Sequence, residues 1–405
     1  MPVKLVLGLQ HGDEGKGRIV DDLCQTWADV IVRFQGGGNA GHTVYNESGK
    51  KFVTHILPVG VLNENKTSII SKGCVVNVVD LYEEIKSLNV SKESLMLSSL
   101  CPVIEPVHIL IDRSKYQGKI GTTAKGIGPA YSSYYARDSF LIRDVIEKPE
   151  KCYNEIEDKF FKFTSETRLF NKNPVVYKEI YSYFRHYLDN FYDAINFLKD
   201  YVSYNDNLIQ DLYSQNKNIL LEGAQGTGLD ITSTNYPNVT SSSPSVGGAM
   251  ISTGLSHRQI DEVIGVIKAY KTKVGSGIFA SRCSEENEKV LSFHGKEFGA
   301  TTGRPRKCGW LDLDEVNESI LRNGVTHICL TKTDVFTHIN EPYLYVNNEL
   351  NKISKINDVS LNDESFINLL KLIKEKTGVN RITFTTGPNR GQIVWEEDVV
   401  LNKEI

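Results

Sequence analysis

The chain has 405 residues, of which 40% are hydrophobic and 24% charged, so it can bury a large core in one elaborate domain or two. A formal net charge of -4 supplies no overall basic field for nucleic acid, and no run of about eighteen apolar residues is present to span a bilayer. The seven cysteines form an odd set without a C-x-x-C pair, which argues against a disulfide framework or a zinc site and favours a reducing compartment.

The N-terminal sequence MPVKLVLGLQHGDEGKG has too short an apolar core for a signal peptide, so we expect a cytoplasmic protein whose first strand begins almost at once. From there β-rich runs alternate with amphipathic stretches, the pattern of a mostly parallel central sheet flanked by helices, an α/β fold. The predicted strands are 3–9, 29–34, 218–223, 262–270, 326–332 and 381–387, and helices are predicted at 19–27, 78–88 and 364–378.

Between about 150 and 216 the sequence becomes rich in Tyr, Phe, Lys and Asp, with helical periodicity and almost no glycine. An aromatic stripe of this kind needs a surface to bury against, so we interpret the segment as a helical insertion and not as a linker. Additional subdomain segments are expected around the sheet. We treat residues 1–405 as one domain.

Glycine-rich loops directly after strands are the first candidates for a site, because ligands of open α/β sheets bind at the carboxyl ends of the strands. The first is QHGDEGKGR, residues 10–18, in a strand–loop–helix unit that suits an anion. It is neither a Walker A loop nor G-x-G-x-x-G, since its glycines are differently spaced and Gly17 stands where a hydroxyl residue belongs. Two acids, Asp13 and Glu14, lie where they would repel phosphate. A phosphate and metal loop is favoured over a structural turn.

The second loop is RFQGGGNAGHTV, residues 33–44. Its three consecutive glycines allow close backbone approach to a ligand, while Asn39, His42 and Thr43 add polar groups. His42 is either a catalytic group or a satisfied structural histidine. The loops at 121–131 and 221–243 combine hydroxyls, amides and glycines without a nucleophile and base pair, so they indicate binding loops or plain surface turns.

Two further stretches carry charge. In EFGATTGRPRKCGWLD, residues 297–312, Arg304 and Arg306 flank a proline after a Thr-Thr-Gly turn, which favours a fork for carboxylate or phosphate over solvated charge. In CLTKTDV, residues 329–335, Asp334 could accept from N1–H and the exocyclic amine of guanine. A Lys-x-Asp tripeptide alone is common by chance.

Taken in order, these blocks resemble the adenylosuccinate synthetase family over essentially the whole chain. The resemblance rests on GDEGKGR, GGGNAGHT, IGTTAKGIGPAY, EGAQGTGLDI, EFGATTGRPR, TKTD and TTGP. It implies a GTP-dependent ligase that joins IMP to L-aspartate through 6-phosphoryl-IMP and releases GDP and phosphate, the first committed step from IMP to AMP. The family's cofactor is Mg²⁺, and it works as a homodimer.

The resemblance also implies roles for residues. Asp13 would remove the N1 proton of IMP and, with the carbonyl of Gly41, bind Mg²⁺, while His42 would act as the acid and Lys16 would hold phosphate oxygens. GTP contacts are expected from Gly12, Asp13, Glu14, Gly15, Lys16, Gly17, Arg18, Gly41, His42, Thr43, Arg306, Lys332, Thr333, Asp334, Thr385, Thr386 and Gly387. IMP contacts are expected from Asp13, Lys16, Asn39, Ala40, Gly41, His42, Thr123, Arg137, Gln225, Thr240 and Arg304, with Arg137 reaching the site of the neighbouring subunit. Aspartate contacts are expected from Ala300, Thr301, Thr302, Gly303, Arg304, Pro305 and Arg306.

Some positions depart from the family pattern. Ala124 and Lys125 stand where glycine and arginine are usual, Asp138 replaces a second basic residue after Arg137, and Thr385 replaces serine. These changes affect details of the IMP-phosphate contacts and leave every proposed catalytic group in place.

Two alternatives remain at this stage. A sister ligase adds aspartate to a 2-amino-purine deoxynucleotide, but there the acid corresponding to Asp13 is changed, whereas here it is intact. A GTP-dependent switch would bind nucleotide without chemistry, but it would not need Arg304 and Arg306 for an amino-acid substrate.

Overall fold

The computed structural model describes residues 3–46, 48–116, 122–273, 279–298 and 306–395. The strands are β1 Val3–Gly8, β2 Val30–Arg33, β3 His42–Tyr45, β4 Lys51–Thr54, β5 Thr67–Ile70, β6 Leu95–Ser98, β7 Val202–Ser203, β8 Ile219–Glu222, β9 Glu262–Lys268, β10 Tyr270–Lys273, β11 Lys307–Asp312, β12 His327–Thr331, β13 Tyr343–Val346, β14 Glu349–Lys352, β15 Arg381–Thr385 and β16 Ile393–Val394. The α-helices are α1 Lys16–Thr26, α2 Val78–Leu88, α3 Pro106–Ile111, α4 Ile127–Ala136, α5 Ile142–Glu147, α6 Pro149–Thr167, α7 Leu169–Lys172, α8 Pro174–Leu198, α9 Leu208–Ser214, α10 Val246–Thr253, α11 Glu285–Gly295, α12 Leu313–Asn323, α13 Thr333–Phe336 and α14 Glu364–Thr377.

The central sheet has the strand order β16-β15-β12-β9-β1-β8-β2-β5-β6-β7. All neighbours in it are parallel except the edge pair β15 and β16. Its central strands β1 and β9 are buried on both faces, as their nearly continuous apolar runs require. A second sheet, β10-β11-β13-β14, and the hairpin β3-β4 lie beside it. The predicted α/β class with a mostly parallel sheet is confirmed.

Each predicted strand and helix forms, with α2 at its predicted bounds and the others with one or both ends shifted. The predicted helix at 19–27 begins earlier, at Lys16, so the glycine-rich motif itself supplies the first helical turn. The predicted strand at 262–270 is wrong at its end, because β9 stops at Lys268 and Tyr270 opens β10 in the second sheet. The chain turns after Lys268, beside the loop of residues 10–18. The Lys268 N–H donates to Oε1 of Gln10 in that loop (2.9 Å).

Local signals explain the helix ends. The side chain of Asn77 accepts from the N–H groups of Val79 and Asp80 at the start of α2, and Asp363 caps α14 in the same way. Gly378 ends α14 with a φ of 69°, a left-handed conformation that suits glycine. These caps place the two predicted helices at almost the boundaries expected from sequence.

The aromatic-rich segment is helical, as predicted, and forms α6 to α9 apart from the short edge strand β7. Its apolar face packs into a core shared with α2 and with the strands β5 and β6, the latter next to the edge strand β7. Phe160 of α6 and Phe184 of α8 stack face to face at 3.9 Å and are fully buried. The insertion therefore covers one edge of the sheet.

All seven cysteines are buried free thiols. Among the helices that the structure describes, none is both long and apolar enough to cross a membrane.

We expect Phe184→Ala to destabilise the protein by about 3–5 kcal/mol, because it removes a fully buried ring from the α6–α8 contact and leaves a cavity. Urea unfolding followed by circular dichroism measures the loss. The matched control is Tyr204→Ala, at a side chain that is more than half exposed. Equal stability of the two variants would contradict this account of the insertion.

Candidate active site

The site forms at one edge of the central sheet, where the neighbouring strands β15, β12, β9, β1, β8 and β2 have their carboxyl ends. Hydrogen bonds fasten the loops to one another. The Gly228 N–H donates to the carbonyl of Gln10 (2.9 Å), and the Thr331 hydroxyl donates to the carbonyl of Glu14 (2.6 Å). The sheet thus brings together glycine-rich loops that are far apart in sequence.

The first loop has the shape of an anion site. Gly12, Asp13 and Gly15 all have left-handed backbone angles, with φ of 85°, 61° and 87°, and α1 starts immediately afterwards. A Cβ at Gly12 would contact the main chain of Gln225 at 3.5 Å, so this loop packs closely against the loop after β8. The amides at the start of α1 are therefore available to phosphate oxygens.

The two acids of this loop face in different directions. Glu14 is fully buried, and its carboxylate accepts from the Gly12 N–H (2.7 Å) and the Gln10 N–H (3.2 Å). The same carboxylate binds the Lys16 ammonium at 2.6 Å, so it fixes both the loop and the lysine. Asp13 instead has a side chain that is 42% exposed and contacts Nη2 of Arg306 at 2.8 Å. Asp13 is thus the acid that can meet a ligand.

His42 lies against the start of α1, where Gly17 makes room for it, since a Cβ at position 17 would come within 3.0 Å of the His42 Cβ. Its Nδ1 is 2.6 Å from Oε1 of Glu222, at the end of β8. Glu222 also accepts from the Val59 N–H (2.9 Å) and lies 3.4 Å from the Arg33 guanidinium. All three of His42, Glu222 and Arg33 are buried.

The protonation states follow from these contacts. Burial lowers the pKa of His42, although Glu222 acts in the opposite direction. Burial alone would raise the pKa of Glu222, but the hydrogen bond from His42, the charge of Arg33 and the hydrogen bond from the Val59 N–H act against burial, and that pKa is lowered. We infer a neutral His42 whose Nδ1–H donates to an ionised Glu222, which leaves Nε2 for the ligand.

Two amide oxygens are oriented for a ligand. Oδ1 of Asn39 and Oε1 of Gln225 are buried and have no hydrogen-bond partner among the described residues. Both lie on loops of the site, and a Cβ at Gly36 would come within 3.2 Å of the Gln225 oxygen. The Tyr131 hydroxyl accepts from the Gly36 N–H (3.0 Å) and so holds the three-glycine loop. Buried acceptors without partners are costly unless a ligand donates to them.

Other predicted IMP residues are spread around these loops. Thr123 is half-buried on the loop before α4, and the Thr240 N–H donates to the carbonyl of Leu229 (2.8 Å). Ala40 is buried, and its carbonyl lies 2.9 Å from Nδ1 of His55. Arg137 directly follows α4, has a φ of 65° and is exposed.

Three of the residues that depart from the family pattern are Ala124, Lys125 and Thr385, all within the described part of the chain. Ala124, where the family usually has glycine, has a φ of 57°. This left-handed conformation costs a residue with a Cβ about 1 kcal/mol or more. Lys125 contacts Asp80 of α2 at 3.7 Å. Thr385 is buried, and its carbonyl accepts from the Thr333 hydroxyl.

The predicted guanine loops lie together at the ends of β12 and β15. Lys332 has a left-handed φ of 59° at the start of α13, and its ammonium donates to the carbonyl of Gly295 (2.7 Å). Asp334 is half-buried in α13. The Thr386 N–H donates to the carbonyl of Gln392 (3.0 Å), and Gly387 packs against the Gln392 side chain. Arg18 of α1 donates to the carbonyl of Asn389 (2.9 Å), which ties this loop to the first helix.

Of the predicted aspartate loop, only Arg306 lies within the described residues. Ala300, Thr301, Thr302, Gly303, Arg304 and Pro305 lie outside them. Thr43 is the second residue of β3, directly after His42, and Gly41 is half-buried just before that strand.

Glu222 is a functional candidate that the motif reading missed. The available signal was an acid at the end of an otherwise apolar strand, NILLEG, where a charge must find a partner.

Fold and site together indicate a class: a parallel α/β protein with a glycine-rich loop at a helix N-terminus, a shape that suits an anion, and with an acid and a histidine close to that loop. The family model for adenylosuccinate synthetase matches residues 5–378. The adenylosuccinate synthetase of Halothermothrix orenii is 40% identical over 346 residues, which cover 84% of this chain and 78% of that protein. The chain belongs to the adenylosuccinate synthetase family. It is a GTP-dependent ligase that joins IMP and L-aspartate to adenylosuccinate and releases GDP and phosphate.

Solved structures agree with this assignment. A fully ligated adenylosuccinate synthetase from Plasmodium falciparum matches with a TM-score of 0.85 and 30% identity, over 98% of this chain and 100% of that one. A succinoaminodeoxyadenylate synthetase of cyanophage S-2L bound to dGMP and dATP matches with a TM-score of 0.66 and 18% identity, over 98% of this chain and 95% of that one. The second likeness shows a shared fold alone and gives no support to the sister-ligase alternative, whereas the family model and the curated relative are adenylosuccinate synthetases. The switch alternative falls with the family assignment.

We expect Glu222→Gln to lower kcat roughly 10²-fold or more, because the amide cannot accept the His42 Nδ1–H as a charged partner or balance Arg33. Steady-state kinetics at saturating substrates measures the change, and circular dichroism verifies the fold. A folded variant with normal kcat would show that Glu222 does not act through His42.

Proposed function

We propose that Asp13 is the base that removes N1–H of IMP, so that O6 attacks the γ-phosphate of GTP and gives 6-phosphoryl-IMP. The aspartate amine then displaces the phosphate at C6. The observation that carries this proposal is the position of Asp13, whose half-exposed carboxylate contacts Arg306 while Glu14, the neighbouring acid, is turned into the protein. A base beside the arginine proposed for aspartate would bring both half-reactions to one place.

His42 is the proposed acid and stabiliser of the transferring phosphoryl group. Its Nδ1 is held by Glu222, so its Nε2 can carry the proton that the phosphoryl oxygens or O6 require. Although burial favours the neutral ring in the free protein, the negative charge of bound phosphates favours the imidazolium. Glu222 and the nucleotide would thus share control of the proton.

Phosphate oxygens would be held by the main-chain amides of Gly15 and Gly17, by the other residues of the 12–18 loop and by Lys16, while the Gly12 N–H stays bonded to Glu14. The proposed GTP contact of Glu14 is through its main chain, since its carboxylate is engaged inside the loop. Lys16 would keep one contact to Glu14 while its remaining protons reach phosphate, since an ammonium has three donors.

Mg²⁺ is the proposed cofactor, with ligands from the Asp13 carboxylate and the Gly41 carbonyl. Both donors would be oxygens on loops, as this ion prefers, and the Asp13 side chain is exposed enough to meet a ligand. The ion, when bound, neutralises phosphate charge. It would also let Asp13 remain close to phosphate.

The substrate pockets are proposed from the loops described above. IMP would donate to the buried oxygens of Asn39 and Gln225, with Thr123 and Thr240 around it. Guanine would pair with Asp334, beside Lys332 and the 385–387 loop. The aspartate carboxylates would be bound by Arg306 together with the 300–305 segment.

The assembly is proposed to be a homodimer. The exposed Arg137 at the end of α4 would reach the IMP phosphate in the neighbouring subunit. We also infer that residues 1–405 act as one synthetase domain and that the enzyme works in the cytoplasm.

The direct assay mixes the purified protein with GTP, IMP, L-aspartate and Mg²⁺ and follows the absorbance change of adenylosuccinate formation. Replacing IMP by a 2-amino-purine deoxynucleotide tests the sister reaction. Activity only with IMP supports the proposal, and GTP hydrolysis without either product would contradict it.

We expect Asp13→Ala to lower kcat by roughly 10²–10⁴-fold or more, because the N1 proton loses its base and the metal loses a ligand. The control Asp29→Ala changes an acid between α1 and β2, at the opposite edge of the sheet. Near-normal kcat for Asp13→Ala would remove it from the mechanism.

Arg306→Leu should raise the KM for aspartate far more than the KM for IMP, because the guanidinium is the proposed partner of a substrate carboxylate. Initial rates with each substrate varied in turn measure the two effects. If both KM values rise equally, Arg306 is not specific to the amino acid.

A further inference from the structure

Glu297 is a buried acid that the mechanism above does not use. It follows α11 and lies at the start of the segment proposed to bind aspartate, and its side chain is only 1% exposed. Its Oε2 accepts from Nη1 of Arg306 at 2.8 Å, and its Oε1 lies 3.3 Å from the Lys268 ammonium and accepts from the Tyr270 hydroxyl. One carboxylate therefore binds donors from three segments of the chain.

The charge on Glu297 is stable. Burial would raise its pKa, but the charges of Lys268 and Lys332, the Tyr270 hydroxyl and the charge of Arg306 outweigh burial and lower the pKa to about 2. The residue is thus ionised throughout the pH range in which such an enzyme works. A buried charge without a partner is strongly destabilising. Glu297 and its cationic partners therefore hold one another in place.

The contact with Glu297 uses one particular side of the Arg306 guanidinium. Nη1 is bound to Glu297, while Nη2 contacts the exposed carboxylate of Asp13 and Nε has no partner among the described residues. In arginine, Nε–H and one N–H of Nη2 point the same way and form the fork that accepts a carboxylate side-on. Glu297 therefore occupies the opposite end and leaves this fork open.

The two acids that hold Arg306 differ in how easily they can be replaced. Glu297 is sealed in the interior, and the Arg306 N–H also donates to the Glu297 carbonyl (3.1 Å). Asp13 is 42% exposed and contacts only the open fork. An incoming carboxylate can exchange with Asp13 but cannot reach Glu297.

We propose that Glu297 is a positioning residue for the amino-acid substrate, which fixes Arg306 through Nη1 so that its Nε and Nη2 fork meets a carboxylate of aspartate. The inference rests on the proposed function, in which Arg306 binds aspartate. It extends that function by assigning the orientation of Arg306, and the release of Asp13, to a residue that never touches substrate.

A change at Glu297 should affect the binding of the three substrates to different extents. The Lys332 ammonium donates to the main-chain carbonyl of Gly295, which a change of the Glu297 side chain leaves in place. Asn39 and Gln225, the proposed IMP groups, make no described contact with Glu297. Loss of Glu297 should therefore affect aspartate most and IMP least.

The test is Glu297→Gln. We expect the KM for aspartate to rise roughly tenfold, since the guanidinium must then be ordered on binding, while the KM for IMP stays within about twofold. Inhibition by succinate, which offers the two carboxylates without the amine, should weaken by a similar factor. An unchanged KM for aspartate, or equal changes for aspartate and IMP, would overturn the proposal.

Glu262→Gln is the matched control. Glu262 is also a buried acid with a pKa lowered to about 2, and it binds Lys4, His327 and Arg381 at the amino end of β9, the opposite edge of the sheet. Both variants should melt at a lower temperature, but only Glu297→Gln should raise the KM for aspartate. A rise in both would show a general loss of stability instead of a positioning effect.

If Glu297→Gln does not fold, Glu297→Asp keeps the charge and withdraws the carboxylate from Nη1 by one methylene. It should also raise the KM for aspartate selectively, and a normal KM would overturn the proposal. Arg306→Leu separates this inference from the proposed function. If Arg306→Leu binds aspartate normally, the assignment of Arg306 to the aspartate site fails. If Arg306→Leu binds aspartate weakly but the Glu297 variants bind it normally, only the positioning role of Glu297 is refuted.

Discussion

Buried carboxylates hold the lysine, histidine and arginine side chains of this active site, and the rest of the site depends on them. Glu14 binds Lys16, Glu222 binds His42 and Glu297 binds Arg306. Each of these glutamates is fully or almost fully buried. An ionised group removed from water must be paired, so each pair fixes a long or rotatable side chain in one orientation before a ligand arrives. Less side-chain conformational entropy of the protein is then lost when phosphates and carboxylates bind.

The same arrangement leaves one acid free to act. Asp13 differs from the three glutamates because its side chain is 42% exposed and its backbone has a left-handed φ. It lies between the loop before α1 and Arg306, where we propose that a metal ion or a substrate changes its partner. The two acids of this loop therefore differ in their surroundings, since the Glu14 carboxylate is bonded inside the loop and the Asp13 carboxylate is exposed and available to the proposed ligands.

The parallel sheet makes these pairs possible. Glu222 ends β8 and contacts His42 at the start of β3, and Thr331 at the end of β12 contacts the loop after β1. Parallel strands in neighbouring positions end at one edge, so loops separated by hundreds of residues meet there. Where two segments approach closely, as at Gly17 beside His42, a glycine leaves room that a Cβ would crowd.

Much of this was determined by the sequence itself. Apolar runs that alternate with amphipathic stretches predict the parallel α/β fold and nearly every boundary of the predicted elements, because burial and capping are local in sequence. The ordered glycine-rich blocks predict the family, and with it Asp13, His42 and Arg306 as candidates. The tertiary structure alone decided which acid of GDEGKGR faces outward, and that Glu222 and Glu297 pair with His42 and Arg306. These pairs join residues 180 and 9 positions apart. No local pattern specifies them, because a buried charge is satisfied by whichever partner the folded chain brings to it.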